Sequence, residues 1–101
     1  MKFVEIPVAV RVKKMEMRID SHALERAEER GVTREEIKEV VRTGFVISAK
    51  YGRRGRAKIY DFKQKRHNKY YEQKRVEVFY GIEKERIIVV TAYVFYGKWE
   101  G

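Results

Sequence analysis

Apolar and polar residues alternate at the start of the chain, then apolar ones recur at helical spacing, then alternation returns. Val8, Val10 and Val12 alternate with Ala9 and Arg11, and Met15, Met17 and Ile19 alternate with Glu16 and Arg18. A period of two marks a strand whose faces meet different surroundings. The two sets are out of phase across Lys13-Lys14, which calls for a bulge or a tight turn there. Pro7 confines its neighbourhood to a sheet edge or a strand start.

Between residues 20 and 44 the spacing becomes helical. Asp20 or Ser21 supplies an N-cap, and Gly31 ends the first helix in the left-handed conformation. Ala23, Leu24 and Ala27 form its buried side. Thr33-Arg34-Glu35-Glu36 reads as a capping box that opens a second helix. Ile37, Val40 and Val41 are its apolar stripe, and Gly44 ends it. The product is a helical hairpin with one hydrophobic face to bury.

From Phe45 onward the period is two again, predicting strands at 45–51, 57–64, 70–81 and 86–96. Gly52-Arg53-Arg54-Gly55-Arg56, Arg66-His67-Asn68 and Glu83-Lys84-Glu85 form the three turns. Ile87 to Tyr96 is nearly all apolar, which predicts a central strand covered on both faces or a strand at a subunit contact. These elements predict an α+β fold: N-terminal strand or strands, then a two-helix hairpin packed on a four-stranded, mostly antiparallel sheet. At 101 residues the chain is one domain. Residues 1–14 form an extension or extra strand, and 15–96 form the core.

Charge changes the picture more than composition does. The net charge is +9. Residues 50–75 hold 11 basic and 2 acidic side chains, whereas the flanking stretches nearly balance. A polyanion is the natural partner for such a segment, with a solvated surface as the plain alternative. Strand-spaced Ile59, Tyr60, Phe62, Tyr70 and Tyr71 interrupt the basic run, which argues against a membrane-surface helix. The absence of cysteine excludes disulfides, thiolate metal sites and a thiol nucleophile. With no signal-peptide core and no run of about 18 apolar residues, the expected location is the cytoplasm. Gln and Asn are scarce beside Lys, Glu and Arg, a thermophilic leaning.

One helical stretch has chemical potential. His22, Arg26 and Arg30 are four residues apart, so they form one stripe that drifts ~40° per step. RNA is cleaved without metal when a base takes the 2′-hydroxyl proton, a cation steadies the phosphate and an acid protonates the leaving oxygen. His22 suits the base or the acid, and Arg26 and Arg30 suit phosphate oxygens. Read structurally, His22 decorates a helix start and the arginines pair with Glu25, Glu28 and Glu29. Thr91 and Tyr93 interrupt the last strand and are expected to share a face with Val89 and Phe95, as a core feature or an active-site floor. Lys50, Arg53, Arg54, Arg56 and Lys58 would grip flanking backbone, and Tyr60, Tyr70, Tyr71 and Tyr80 are the aromatics available for stacking. No histidine and carboxylate spacing predicts a metal site, and no cofactor motif is present.

The run from Met17 through Ser21-His22-Ala23-Leu24-Glu25-Arg26 and Arg30-Gly31 to Val41 resembles domain-of-unknown-function family 4258. That family opens with a strand, a Ser-x-His-Ala-x-x-Arg-x-x-x-Arg-Gly helix and a second helix. Its closing strand resembles Ile87-Ile88-Val89-Val90-Thr91-Ala92-Tyr93. More distantly the layout resembles RelE and BrnT toxin RNases, many of which pair with an antitoxin. The resemblance implies a metal-independent, toxin-like endoribonuclease with His22, Arg26, Thr91 and Tyr93 at its centre. The alternatives are a non-catalytic nucleic-acid binder using the basic hairpin, and a module that binds an acidic partner such as an antitoxin. The apolar last strand and the N-terminal extension offer surfaces for a homodimer.

Overall fold

A computed structural model of the chain describes residues 15–99. The predicted strand at Val8–Val12, the Lys13-Lys14 break and Pro7 lie outside that range. Strand β1 (Glu16–Ile19) leads directly into helix α1 (Ser21–Glu29), followed by helix α2 (Arg34–Thr43). Strands β2 (Phe45–Ile47), β3 (Arg54–Arg66), β4 (Lys69–Glu83) and β5 (Arg86–Gly97) complete the fold.

Both helices begin where the side chains can satisfy free backbone donors. Asp20 Oδ1 accepts from the Ala23 N–H at 3.1 Å. Thr33 Oγ1 accepts from the Glu36 N–H at 3.1 Å, and Glu36 Oε1 accepts from the Thr33 N–H at 3.0 Å. That is the predicted capping box. Gly31 closes α1 at φ +94°, and a side chain there would also collide with the Tyr96 hydroxyl. Gly44 ends α2 for a different reason. Its backbone is extended, but a Cβ would lie 2.5 Å from the Val40 carbonyl oxygen and 2.6 Å from that of Ala57.

The sheet has five strands, in the order β1-β5-β4-β3-β2. The expected four-stranded sheet is thus too small. β1 joins it in parallel with β5, from Glu16 opposite Arg86 to Ile19 opposite Val89, while the other pairings are antiparallel. Asp20 N–H donates to the Val89 carbonyl at 3.2 Å, the last rung before α1 takes over beside the edge of β5. Arg54 to Arg56 belong to β3, not to the turn, because they pair with Tyr80 to Val78 of β4. β2 is correspondingly short.

Both helices pack on one face of the sheet. Ala27, Val32, Ile37, Val40 and Val41 from the helical layer meet Val76, Val78, Tyr80, Ile87, Val89 and Ala92 from β4 and β5. Full burial of an aliphatic side chain contributes about 1.5–3 kcal/mol. The other face has no second layer among the described residues. β5 is therefore covered on one face only, which corrects the expectation of burial on both. Tyr80 belongs to the core at 1% exposure, so it offers no stacking surface.

Candidate nucleic-acid interface

A bulge in β5 decides which side chains reach the open face. Thr91 pairs with Phe79, yet Val89 pairs with Tyr80, so Val90 is an extra residue. The bulge reverses the alternation. Val89, Ala92 and Val94 face the helices, while Thr91, Tyr93 and Phe95 face away. Val89 and Thr91 do not share a face, contrary to the simple alternation expected above.

Strand register assembles the open face in rows. Phe45, Ala57, Glu77 and Tyr93 form one row, and Ile47, Gly55, Phe79 and Thr91 form the next. A third carries Ile59, Arg75 and Phe95. Phe45, Tyr93 and Phe95 remain 47%, 43% and 48% exposed, so the rings are available to a ligand. Phe79 and Tyr93 meet edge to face at 6.0 Å. Arg75 bonds Glu77 at 2.9 Å and lies 5.2 Å from the Phe45 ring. Phe45, Arg75 and Phe79 are absent from the sequence-level site. Only strand register, which a single sequence does not show, would have placed them there.

One end of this face is a concavity of about 360 Å³. Phe79, Val90, Thr91 and Tyr93 line it from the sheet, and Lys50, Tyr51 and Arg53 line it from the loop before β3. It thus joins the polar pair of the last strand to two predicted phosphate-gripping cations. Arg54 is exposed at the adjoining end of β3.

The remaining predicted residues divide by contact. Arg30 Nη1 donates to the Ala92 carbonyl at 3.1 Å, and its guanidinium lies 5.6 Å from the Tyr93 ring centroid. It is therefore the member of the helix stripe in contact with Tyr93. His22 and Arg26 are exposed on α1 and are held by no side-chain hydrogen bond among the described residues. Arg56 donates to the Gly44 carbonyl at 2.8 Å, and Lys58 bonds Thr43 and pairs with Glu39 at 3.1 Å. Those two cations fasten α2 to β3.

Tyr60 belongs to the same fastening. Its hydroxyl donates to Glu39 at 2.7 Å. Burial, then the Glu39 carboxylate, pushes the Tyr60 hydroxyl well above its ordinary range. The hydrogen bonds from Tyr60 and Lys58 hold the Glu39 carboxyl below its ordinary range. Tyr71 packs 5.5 Å from Tyr96, which leaves Tyr70 as the exposed member of the predicted tyrosines. Among the described residues no three His, Cys, Asp or Glu side chains converge as metal ligands. Nor is any helix there long and apolar enough to cross a membrane.

Fold and face together define a small α+β protein, with two helices on one side of a mixed sheet and a basic-rimmed aromatic groove on the other. The chain belongs to the family described as Domain of unknown function (DUF4258), whose family model matches residues 19–94. The matched stretch contains the whole His22–Arg26–Arg30 stripe and both Thr91 and Tyr93. No curated protein matches the chain, and no solved structure does.

Proposed function

We propose that the protein binds single-stranded RNA across the open face of its sheet, and that the α1 stripe, whose Arg30 reaches Tyr93 on that face, cleaves it without metal. One observation carries the binding half: the concavity that unites Thr91 and Tyr93 with Lys50 and Arg53. Aromatic rings stack on bases at about 1–3 kcal/mol each, and cations track the backbone. Tyr93, Phe95 and Phe45 supply the rings, and Lys50 and Arg53 the cations.

Cleavage needs a proton carrier and a phosphate clamp. His22 would take the 2′-hydroxyl proton or give one to the leaving 5′-oxygen. Arg26 and Arg30 would neutralise the charge that builds on the phosphate as the 2′-oxygen attacks. Thr91 and Tyr93 would orient the ribose and the phosphate. Such chemistry fits the resemblance to RelE and BrnT toxin RNases, many of which are encoded beside an antitoxin. Arg30 beside Tyr93 links the stripe to the groove, yet it is Arg30 and not His22 that makes this contact. That favours binding without catalysis as the second reading.

Labelled single-stranded RNA, incubated with the protein and a chelator, separates the two. Cleavage that is lost in His22→Ala and Arg26→Ala supports the nuclease. Cleavage untouched by His22→Ala rules out this mechanism. Tight binding with intact RNA leaves a binding module, and Tyr93→Ala and Arg53→Ala should then weaken it. No binding at low salt ends both readings.

A further inference from the structure

Beyond Asp61 and Gln73 the β3–β4 hairpin has no third strand among the described residues, because β5 ends its pairing at Gly97 opposite Gln73. Residues 62–72 therefore form a two-stranded ribbon. They carry four basic side chains, Lys63, Lys65, Arg66 and Lys69, against the single acid Glu72. Its turn is His67-Asn68, with φ of +50° and +66°, the two-residue hairpin type that matches strand twist. A bulge sets Phe62 and Lys63 against the single residue Glu72, with Lys63 at φ +48°. A bulge increases twist and redirects side chains.

The ribbon is tied down by one of its cations and leaves the others exposed, Lys69 with its Nζ 5.6 Å from the Tyr71 ring centroid. Arg66 Nη2 donates to the Glu29 carbonyl at 3.1 Å, at the C-terminal end of α1, and its guanidinium lies 5.0 Å from the Tyr96 ring. Tyr96 in turn donates its hydroxyl to the Arg30 carbonyl at 2.6 Å. The ribbon is thereby fixed beside the end of the stripe that touches Tyr93. Three other cations of the basic segment are matched to carboxylates: Lys58 to Glu39, Lys74 to Glu36 and Arg75 to Glu77. Lys63, Lys65 and Lys69 are exposed and have no such partner among the described residues.

We propose that this ribbon is a second RNA contact, which holds the phosphates of a duplex next to the single strand on the open face. It rests on the open-face reading and specifies its substrate: RNA whose single-stranded segment adjoins a stem. Lysines are point charges suited to phosphates, and duplex RNA is recognised through its backbone and shape. A single-strand track would instead need successive stacking rings. The free part of the ribbon offers only Tyr70 exposed, since Phe62 and Tyr71 pack on Tyr96.

The test compares three RNAs: a single strand, the same strand joined to a short stem, and the stem alone. The wild-type protein should bind the joined RNA at least about tenfold tighter than the bare strand, equivalent to about 1.4 kcal/mol. The variant combining Lys63→Gln, Lys65→Gln and Lys69→Gln should lose that advantage and keep its affinity for the bare strand. The slope of log affinity against log salt for the joined RNA should fall by roughly 2–3. Tyr93→Ala should weaken both strand-containing RNAs alike. Equal wild-type affinity for strand and joined RNA overturns the ribbon, as does a variant that weakens both equally. Stem binding that the lysine variant abolishes supports the ribbon even where Tyr93→Ala shows no effect, a result that would count against the open face alone.

Discussion

Arg30 and Arg26 are one helical turn apart, yet their side chains do different work. Arg30 bonds a β5 carbonyl and covers the Tyr93 ring, whereas Arg26 is exposed. A hydrogen bond to a charged donor contributes about 1.5–3 kcal/mol, and Arg30→Ala should lower stability by roughly 1–2 kcal/mol after solvent compensation. Arg26→Ala should stay within about 0.5 kcal/mol, the range of ordinary surface changes. Urea unfolding of both variants checks the contrast. Gly44→Ala should cost about 1–3 kcal/mol, because the added carbon meets two backbone oxygens that cannot swing aside. Capping residues such as Thr33 and Glu36 were legible from sequence because both partners lie within three positions. The partner of Arg30 lies 62 residues away and leaves no local trace.

At the scale of elements, the Tyr60–Glu39 contact ties α2 to β3 and makes stability depend on pH at both extremes. Tyr60 is raised from its ordinary 10.0, mainly by burial, and Tyr96 is raised for the same leading reason. Below pH 10 both folded and unfolded tyrosines hold their protons, and the stabilisation is fully present. Above it the unfolded chain releases protons first, so stability falls as pH climbs toward the folded values. Tyr60→Phe should flatten that alkaline decline in thermal melts. Glu39 has the opposite sign: lowered from 4.5, it contributes above that value and loses its contribution as pH falls, so Glu39→Gln should flatten the acid limb. Both helices, their stops and the last two turns were readable because caps, glycines and the 3.6-residue period are local. The parallel pairing of β1 was not, since alternation at Met15–Ile19 signals a strand but names no neighbour.

At the scale of the whole molecule, one sheet face is a core and the other is bare among the described residues, and substitutions should sort accordingly. Ile87→Ala removes a wholly buried side chain and should cost about 2–5 kcal/mol. Phe95→Ser, on the half-exposed aromatic face, should change stability by less than ~1 kcal/mol. Calorimetry on the two variants distinguishes a folding surface from an available one. The candidate site was half visible in the same terms. A segment with 11 basic residues announces itself by composition. Its division into cations that brace helices, such as Arg56, Lys58 and Lys74, and cations that line the groove or ribbon depends on which way each strand residue points. That depends on register and bulges, which a single strand's pattern does not encode.

The extra residue at Val90 makes the second half of β5 a matter of parity. Deleting Val90 would close the bulge, with Val89 still opposite Tyr80 and Thr91 still opposite Phe79, so Thr91, Tyr93 and Phe95 would stay on the open face and Ala92 and Val94 toward the helices. Straightening the bulge with that residue kept would instead make groove and core exchange places beyond it. This strand should therefore tolerate the loss of that one codon better than the gain of another beside it.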